Sequence, residues 1–322
     1  MILEYAPEVL DDTEGNETED VAFWRKGMLD SVQMAEPGDF IGLKWSGMGP
    51  AAMRRMKADQ EPTERMSEAM HALCKAASEK GLSLLPAAEE TWSLSGFLNW
   101  SMSMERVYNL GGRAVVYNTY QAYLKETPGN IAKHMAMAKK EGFTLGIKVV
   151  RGAYLSSEDR NKIWSSIEGT HECYDAIASA LIHRRYNDCL PPAQGQADQE
   201  MPDLNVVLAT HNADSVSKAY ALRKEQAAKG ETLTKLDFAQ LQGMADEVSC
   251  GLIAAAKANA DDPKAVKERV FKCTTWGPMY EALNYLLRRA AENKDAAGRT
   301  HETRDAMKAE IWRRFKGVLG LA

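Results

Sequence analysis

The sequence predicts a (β/α)₈ barrel, and three observations carry that reading. Eight short runs rich in apolar and β-branched residues recur along the 322-residue chain. Longer stretches of helical period separate them. Glycines stand where several of those helices should end.

The strand candidates, in order, span residues 2–6, 40–45, 82–88, 114–120, 145–151, 204–211, 236–242 and 269–276. Each is apolar along most of its length, as a strand buried on both faces must be. Between them, residues 20–35, 63–80, 130–141, 171–185, 215–229 and 246–260 repeat apolar positions at helical spacing. Gly81, Gly142 and Gly230 follow three of these helices, where glycine caps a helix end. Strands that alternate with helices pair in parallel, and eight such units imply closure into a barrel. An open doubly wound sheet is the alternative. The stretch with Pro191, Pro192 and Gly195 is a loop insertion before the sixth strand. Neither a domain boundary nor a repeat interrupts this rhythm, so residues 1–322 read as one domain.

Composition excludes several classes. Forty Lys and Arg against 45 Asp and Glu leave a net charge of −5, with no basic surface to attract nucleic acid. The five cysteines include no C-x-x-C pair, which favours a reducing compartment over a disulfide framework. The six histidines are scattered, so no metal site is expected. No apolar run reaches the roughly 18 residues of a membrane span. The chain passes from Met1 straight into the first strand candidate and then an acidic stretch, unlike a signal or transit peptide. It therefore reads either as cytosolic or as lacking its natural start.

In such a barrel, functional groups gather at the C-terminal ends of the strands. Six of the eight candidates end in polar residues: Lys44; Glu89 and Glu90; Asn118 to Gln121; Lys148 and Arg151; Thr210, His211 and Asn212; Gln240 and Gln242. A buried polar group costs about 1–3 kcal/mol when unpaired. A shared pattern therefore points to a polar rim around a pocket. Near the C-terminus, Tyr285, Arg288, Arg289 and Glu292 fall at i, i+3, i+4 and i+7, with Leu283, Leu287 and Ala290 opposite. Two neighbouring guanidiniums suit a carboxylate ligand, and the alternative is a solvated face with an Arg288–Glu292 ion pair. No G-x-G-x-x-G follows a strand, so a dinucleotide would not bind in the Rossmann manner.

Four stretches occur together in order: Gly146-Ile147-Lys148-Val149-Val150-Arg151-Gly152-Ala153-Tyr154; Ala209-Thr210-His211-Asn212; Leu241-Gln242-Gly243-Met244; and Tyr285-Leu286-Leu287-Arg288-Arg289-Ala290-Ala291-Glu292-Asn293. Over residues 1 to about 299 the chain resembles the proline dehydrogenase family in its fungal form. The resemblance implies an FAD-containing barrel with a substrate-binding C-terminal helix over its mouth. It implies hydride removal from the proline ring carbon beside nitrogen, transfer to flavin N5, and electrons passed to a quinone. It also implies a mitochondrial setting. By the same resemblance Arg288 and Arg289 would bind the substrate carboxylate with Lys44 as third cation. Tyr154, Leu241 and Tyr285 would wall the ring. Lys148 would lie near flavin N5, and Gln121 and His211 would hydrogen-bond the isoalloxazine. Val150, Gly152, Thr210, Asn212 and Glu292 would complete the cofactor shell or order the arginines.

Three departures from the family pattern stand out. Ala87 occupies a position where the family commonly has an aspartate, so Glu89 or Glu90 must compensate or binding weakens. Cys273 stands where a tyrosine often faces the substrate, and a smaller side chain there would admit hydroxyproline or another analogue. The chain starts at the first strand, without the family's N-terminal helical arm, and that strand is expected to fray. Two other readings remain open: a Schiff-base aldolase using Lys44 or Lys148, and a non-catalytic relative that keeps the fold. The tail, residues 302–319, is expected to pack on the barrel, with an interfacial membrane helix as the alternative.

Overall fold

The computed structural model describes residues 1–7, 15–195, 200–262, 265–292 and 300–319. Strand and helix alternate along it: β1 (Ile2–Tyr5), α1 (Glu17–Met34), β2 (Phe40–Leu43), α2 (Pro50–Lys57), α3 (Glu64–Lys80), β3 (Ser83–Pro86), α4 (Leu94–Tyr108), β4 (Asn118–Gln121), α5 (Thr127–Glu141), β5 (Leu145–Val150), α6 (Ile167–His183), β6 (Leu204–Ala209), α7 (Ala213–Ala228), β7 (Lys235–Leu241), α8 (Asp246–Ala258), β8 (Arg269–Trp276), α9 (Met279–Glu292) and α10 (Thr300–Val318). All eight strand candidates are present. Gly81 and Gly142 cap their helices in the left-handed conformation, and Gly230 follows α7 with the same sign of φ.

The strands pair in parallel in the order β3-β2-β1-β8-β7-β6-β5-β4. The ring closes through a parallel bridge between Leu84 and Val116. The fourth strand is shorter than its apolar run. Asn109 Oδ1 takes the backbone N–H groups of Val115 and Val116 at 2.8 Å each, and Asn205 Oδ1 takes that of Ala114 at 2.9 Å. Side-chain amides here satisfy donors that a neighbouring strand would otherwise pair.

Two cores follow from the strand faces. Inside the barrel, Phe40 meets Phe271 edge-on at 4.8 Å and Tyr117 at 5.9 Å, with Ile2, Leu85 and Val207 around them. This plug leaves only one end of the barrel for chemistry. Outside it, a larger core joins the sheet to α1 to α7 through Trp24, Trp45, Phe97, Trp100 and Ile177.

The structure corrects two expectations. The first strand does not fray: it is buried, pairs with β2 and β8, and the Met1 ammonium meets Asp39. The tail helix α10 does not bury its apolar side chains: Ile311, Trp312 and Phe315 are 65, 58 and 51% exposed. Asn212 is also the N-cap of α7, its Oδ1 accepting the Ser215 N–H at 2.9 Å. Helices α2 and α4 were not among the periodic stretches, and α5 starts earlier than expected because Pro128 suits a first turn. Among the described residues no helix is long and apolar enough to cross a membrane, and no cluster of potential metal ligands occurs.

Candidate active site

A cavity of about 250 Å³ opens at the C-terminal ends of the strands. Its walls bring together Gln121, Lys148, Val150, Gly152, Tyr154, Thr210, His211, Leu241, Tyr285 and Arg289. These sequence-predicted residues arrive from β4 to β7, the loops after them, and α9. Lys44 and Arg288 stand outside this lining, and the side chain of Glu292 lies outside the described residues.

Lys44 follows β2 directly. Its carbonyl accepts the Trp24 indole N–H from α1 at 3.1 Å, which fixes the backbone. Its ammonium then reaches Tyr154, donating to the phenol oxygen at 3.0 Å and lying 3.7 Å from Glu89. Glu89 in turn accepts from Ser46 Oγ at 2.7 Å. Of the two candidate carboxylates, Glu89 is thus the one beside Lys44, while Glu90 bonds the Trp92 indole and Ser157. The Tyr154 hydroxyl donates a hydrogen bond to the Ala88 carbonyl at 2.8 Å. Burial pushes this phenol up to about 12 against the pull of Lys44, so the group stays a donor at neutral pH.

Gln121 spends its amide on the frame: Nε2 donates to the Glu89 carbonyl at 3.0 Å and Oε1 accepts the Ala153 N–H at 3.3 Å. It thereby ties the loop after β3 to the loop after β5. Gly152 packs where a side chain has no room, since a Cβ would stand 2.4 Å from the Tyr123 ring. His211 Nε2 accepts the Leu241 N–H at 3.1 Å, an arrangement that needs the neutral ring with its proton on Nδ1. The ammonium of Lys148, midway along β5, makes no hydrogen bond to protein among the described residues, and the residue lines the cavity.

Two further cavity residues, Arg151 and Glu4, carry no role in the family resemblance, and Cys273 joins them in the lining, where the sequence placed it facing the substrate. Arg151 threads between helices: Nε meets His171 of α6 at 3.1 Å, one terminal nitrogen donates to Thr210, and the other reaches Ser215 at 2.7 Å. Its guanidinium lies 4.3 Å from the Tyr174 ring centroid. It therefore orients Thr210 rather than hanging in solvent. Glu4 and Cys273 meet across the β1–β8 seam, the thiol donating to Glu4 Oε2 at 3.2 Å. Burial and the neighbouring Glu4 carboxylate raise the thiol pKa, so it stays protonated. A glutamate inside an otherwise apolar strand was the sequence clue to Glu4.

Helix α9 covers the cavity with Tyr285, which is buried, and Arg289, whose guanidinium lies 4.9 Å from the Tyr285 ring centroid. Leu283 and Leu287 face outward, as their spacing implied.

Comparison with known proteins identifies the family and the fold. The family model for proline dehydrogenase matches residues 6–302. "Proline dehydrogenase 1, mitochondrial" of Homo sapiens is 31% identical over 269 residues, covering 83% of this chain and 42% of that protein. "Probable proline dehydrogenase, mitochondrial" of Schizosaccharomyces pombe is 32% identical over 248 residues, covering 76% and 49%. The chain thus spans about half the length of the curated relatives it matches. Among solved structures, proline utilization A from Bdellovibrio bacteriovorus inactivated by N-propargylglycine superposes with a TM-score of 0.66 at 14% identity, over 91% of this chain and 30% of that one. The barrel, the motif order and the family match agree: this chain belongs to the proline dehydrogenase family.

Proposed function

We propose that the protein oxidises L-proline to 1-pyrroline-5-carboxylate in proline catabolism, using FAD and passing electrons to a quinone. The observation that carries this is the meeting, on one small cavity, of Arg289 and Tyr285 from α9 with Lys148 from β5. A guanidinium for a carboxylate, an aromatic wall for a ring and an ammonium with no hydrogen bond among the described residues form a donor set that fits proline beside a flavin. FAD, when bound, supplies the hydride acceptor.

The protein residues bind and orient. Arg288 and Arg289 hold the substrate carboxylate, with Lys44 as a third cation placed through Tyr154. Cations near the amine disfavour its protonated form and leave the nitrogen lone pair available. Tyr154, Leu241 and Tyr285 wall the ring. Lys148 supports negative charge on the reduced cofactor. Gln121, His211, Val150, Gly152 and Thr210 form the cofactor shell, Gln121 by holding two loops together and Thr210 as oriented by Arg151.

We place this reaction in the mitochondrion, where the curated relatives are named. A quinone acceptor resides in a bilayer, and the exposed Ile311, Trp312 and Phe315 of α10 beside Arg313, Arg314 and Lys316 suit its surface. Sedimentation with anionic liposomes tests this. The full chain should pellet and a chain ending at Arg299 should not.

The function itself is tested by adding proline without oxygen to the purified flavin-loaded protein. Loss of the oxidised flavin absorbance is expected. A protein that takes up FAD but keeps its absorbance with proline would overturn the assignment. A second substrate has its own support: the Cys273 thiol and Glu4 carboxylate line the cavity, where they would hydrogen-bond a ring hydroxyl. If hydroxyproline shows no gain over proline in kcat/KM, that second reading fails.

A further inference from the structure

Away from the cavity, two of the five thiols meet. Cys173 lies on α6 and is buried; Cys189 lies in the loop after it and is half-buried. Their sulfurs are 3.9 Å apart and share a hydrogen bond. Cys74 and Cys250 have no such partner, and Cys273 meets Glu4.

The approach is built, not incidental. Asn187 clamps the loop to the helix: its Nδ2 donates to the Ala176 carbonyl, one turn along from Cys173, at 2.9 Å. Its Oδ1 accepts the N–H groups of Cys189 at 3.1 Å and Leu190 at 2.8 Å, and its own N–H donates to the Leu190 carbonyl at 3.1 Å. Four hydrogen bonds from one residue hold Cys189 over Cys173. A disulfide needs sulfurs about 2.05 Å apart, so closure requires about 1.9 Å of approach, within reach of side-chain rotation.

We propose that Cys173 and Cys189 form an oxidisable dithiol, a modification site that a hydroperoxide converts to a disulfide. The half-buried Cys189 is the attacking thiol, and Cys173 is the resolving one. When Cys189 ionises, the Cys173 S–H turns to it, and that hydrogen bond lowers the Cys189 thiol below its ordinary value while the same bond and burial hold Cys173 up. A lowered thiol yields more of the nucleophilic thiolate. Cys189 attacks one peroxide oxygen, the O–O bond breaks, and a sulfenic acid and water result. The Cys173 sulfur then displaces hydroxide from the sulfenic sulfur, and its proton leaves with it as a second water. Two thiols lose two electrons and two protons, and one hydrogen peroxide becomes two waters.

The site is separate from the cavity and connects to it through α6, which holds the cavity residue Arg151. His171, Tyr174 and Asp175 of α6 flank Cys173 and hold Arg151 and Ser215. Oxidation would therefore fasten the loop to the helix that orients the cavity arginine.

The test treats the full protein with hydrogen peroxide and measures intact mass and non-reduced peptide maps. A loss of about 2 Da, reversed by dithiothreitol, is expected, with a cross-linked peptide pair holding Cys173 and Cys189. Cys173→Ser should instead stop at a sulfenic acid on Cys189, trapped by dimedone, and Cys189→Ser should stay reduced at Cys173. Should a serine variant fail to fold, the wild-type peptide map decides alone. Addition of oxygen to Cys189 with Cys173 left as a thiol, no mass loss at all, or a cross-link through another cysteine would each overturn the proposal.

Discussion

Arg289 is the residue whose removal should be felt most directly. It lines the cavity from a helix rather than a loop, with its guanidinium against the Tyr285 ring. A hydrogen bond to a charged group contributes about 1.5–3 kcal/mol, so Arg289→Ala should raise KM for proline about 10- to 100-fold while the protein still binds flavin. Tyr154→Phe removes the hydroxyl that joins Lys44 to the Ala88 carbonyl. Steady-state kinetics should show about a 10-fold loss in kcat/KM, as Lys44 loses its placement and one carbonyl loses its donor. His134 carries a pH effect on stability. Burial against the Tyr120 hydroxyl holds its imidazole down to about 4, from an ordinary 6.5. Between those values the unfolded chain binds a proton that the folded one refuses. Stability from this group is therefore full above pH 6.5 and falls as the pH drops toward 4, by roughly 2–4 kcal/mol in all. Thermal midpoints measured from pH 7 to 4.5 should fall less steeply for His134→Gln than for the wild type.

At the scale of elements, packing overrules propensity where α4 meets α2. Alanine is favoured over glycine inside a helix by about 1 kcal/mol. At Gly96, however, a Cβ would stand 2.4 Å from the Met56 carbonyl oxygen and 2.5 Å from its Cα. Backbone cannot yield as a side chain can, so overpacking, at about 1–3 kcal/mol, outweighs the gain. Gly96→Ala should lower the denaturant midpoint with an unchanged m-value. The same contact explains why α4 escaped a search for helical period: Gly96, Ser101 and Glu105 are buried there alongside Phe97 and Trp100. Helix α9 was legible because its two faces differ so sharply in chemistry. Only the fold shows that its polar face turns inward, since Tyr285 is 4% exposed and Leu287 67%.

For the molecule as a whole, the weak point is the seam between β3 and β4. Leu84 supplies the backbone pairing there, and Pro86, on the same strand, has no N–H to give. Side chains complete the closure: Thr119 Oγ1 donates to the Pro86 carbonyl at 2.6 Å and Ser83 Oγ to the Ala114 carbonyl at 2.9 Å. Thr119→Val keeps the shape and removes the donor, leaving a buried carbonyl unpaired. It should cost about 1–3 kcal/mol in equilibrium unfolding, and amide exchange at Tyr117 should rise with it.

The sequence by itself determined the barrel, because eight apolar runs separated by helical period have few other ways to bury themselves. It also determined most of the cavity, because polar residues at strand ends have nowhere to point but the mouth. Asn212 shows a second, local demand on such a residue: it follows Thr210 and His211, and its Oδ1 caps α7. Tertiary structure alone decided which residues meet from distant strands. Glu4 and Cys273 lie at opposite ends of the chain and share a cavity wall only because β1 closes on β8. Lys44 bonds Tyr154, and Cys189 lies over Cys173, for the same reason: contacts between residues far apart in sequence are set by the closure of the sheet and the clamping of loops, which no local pattern encodes.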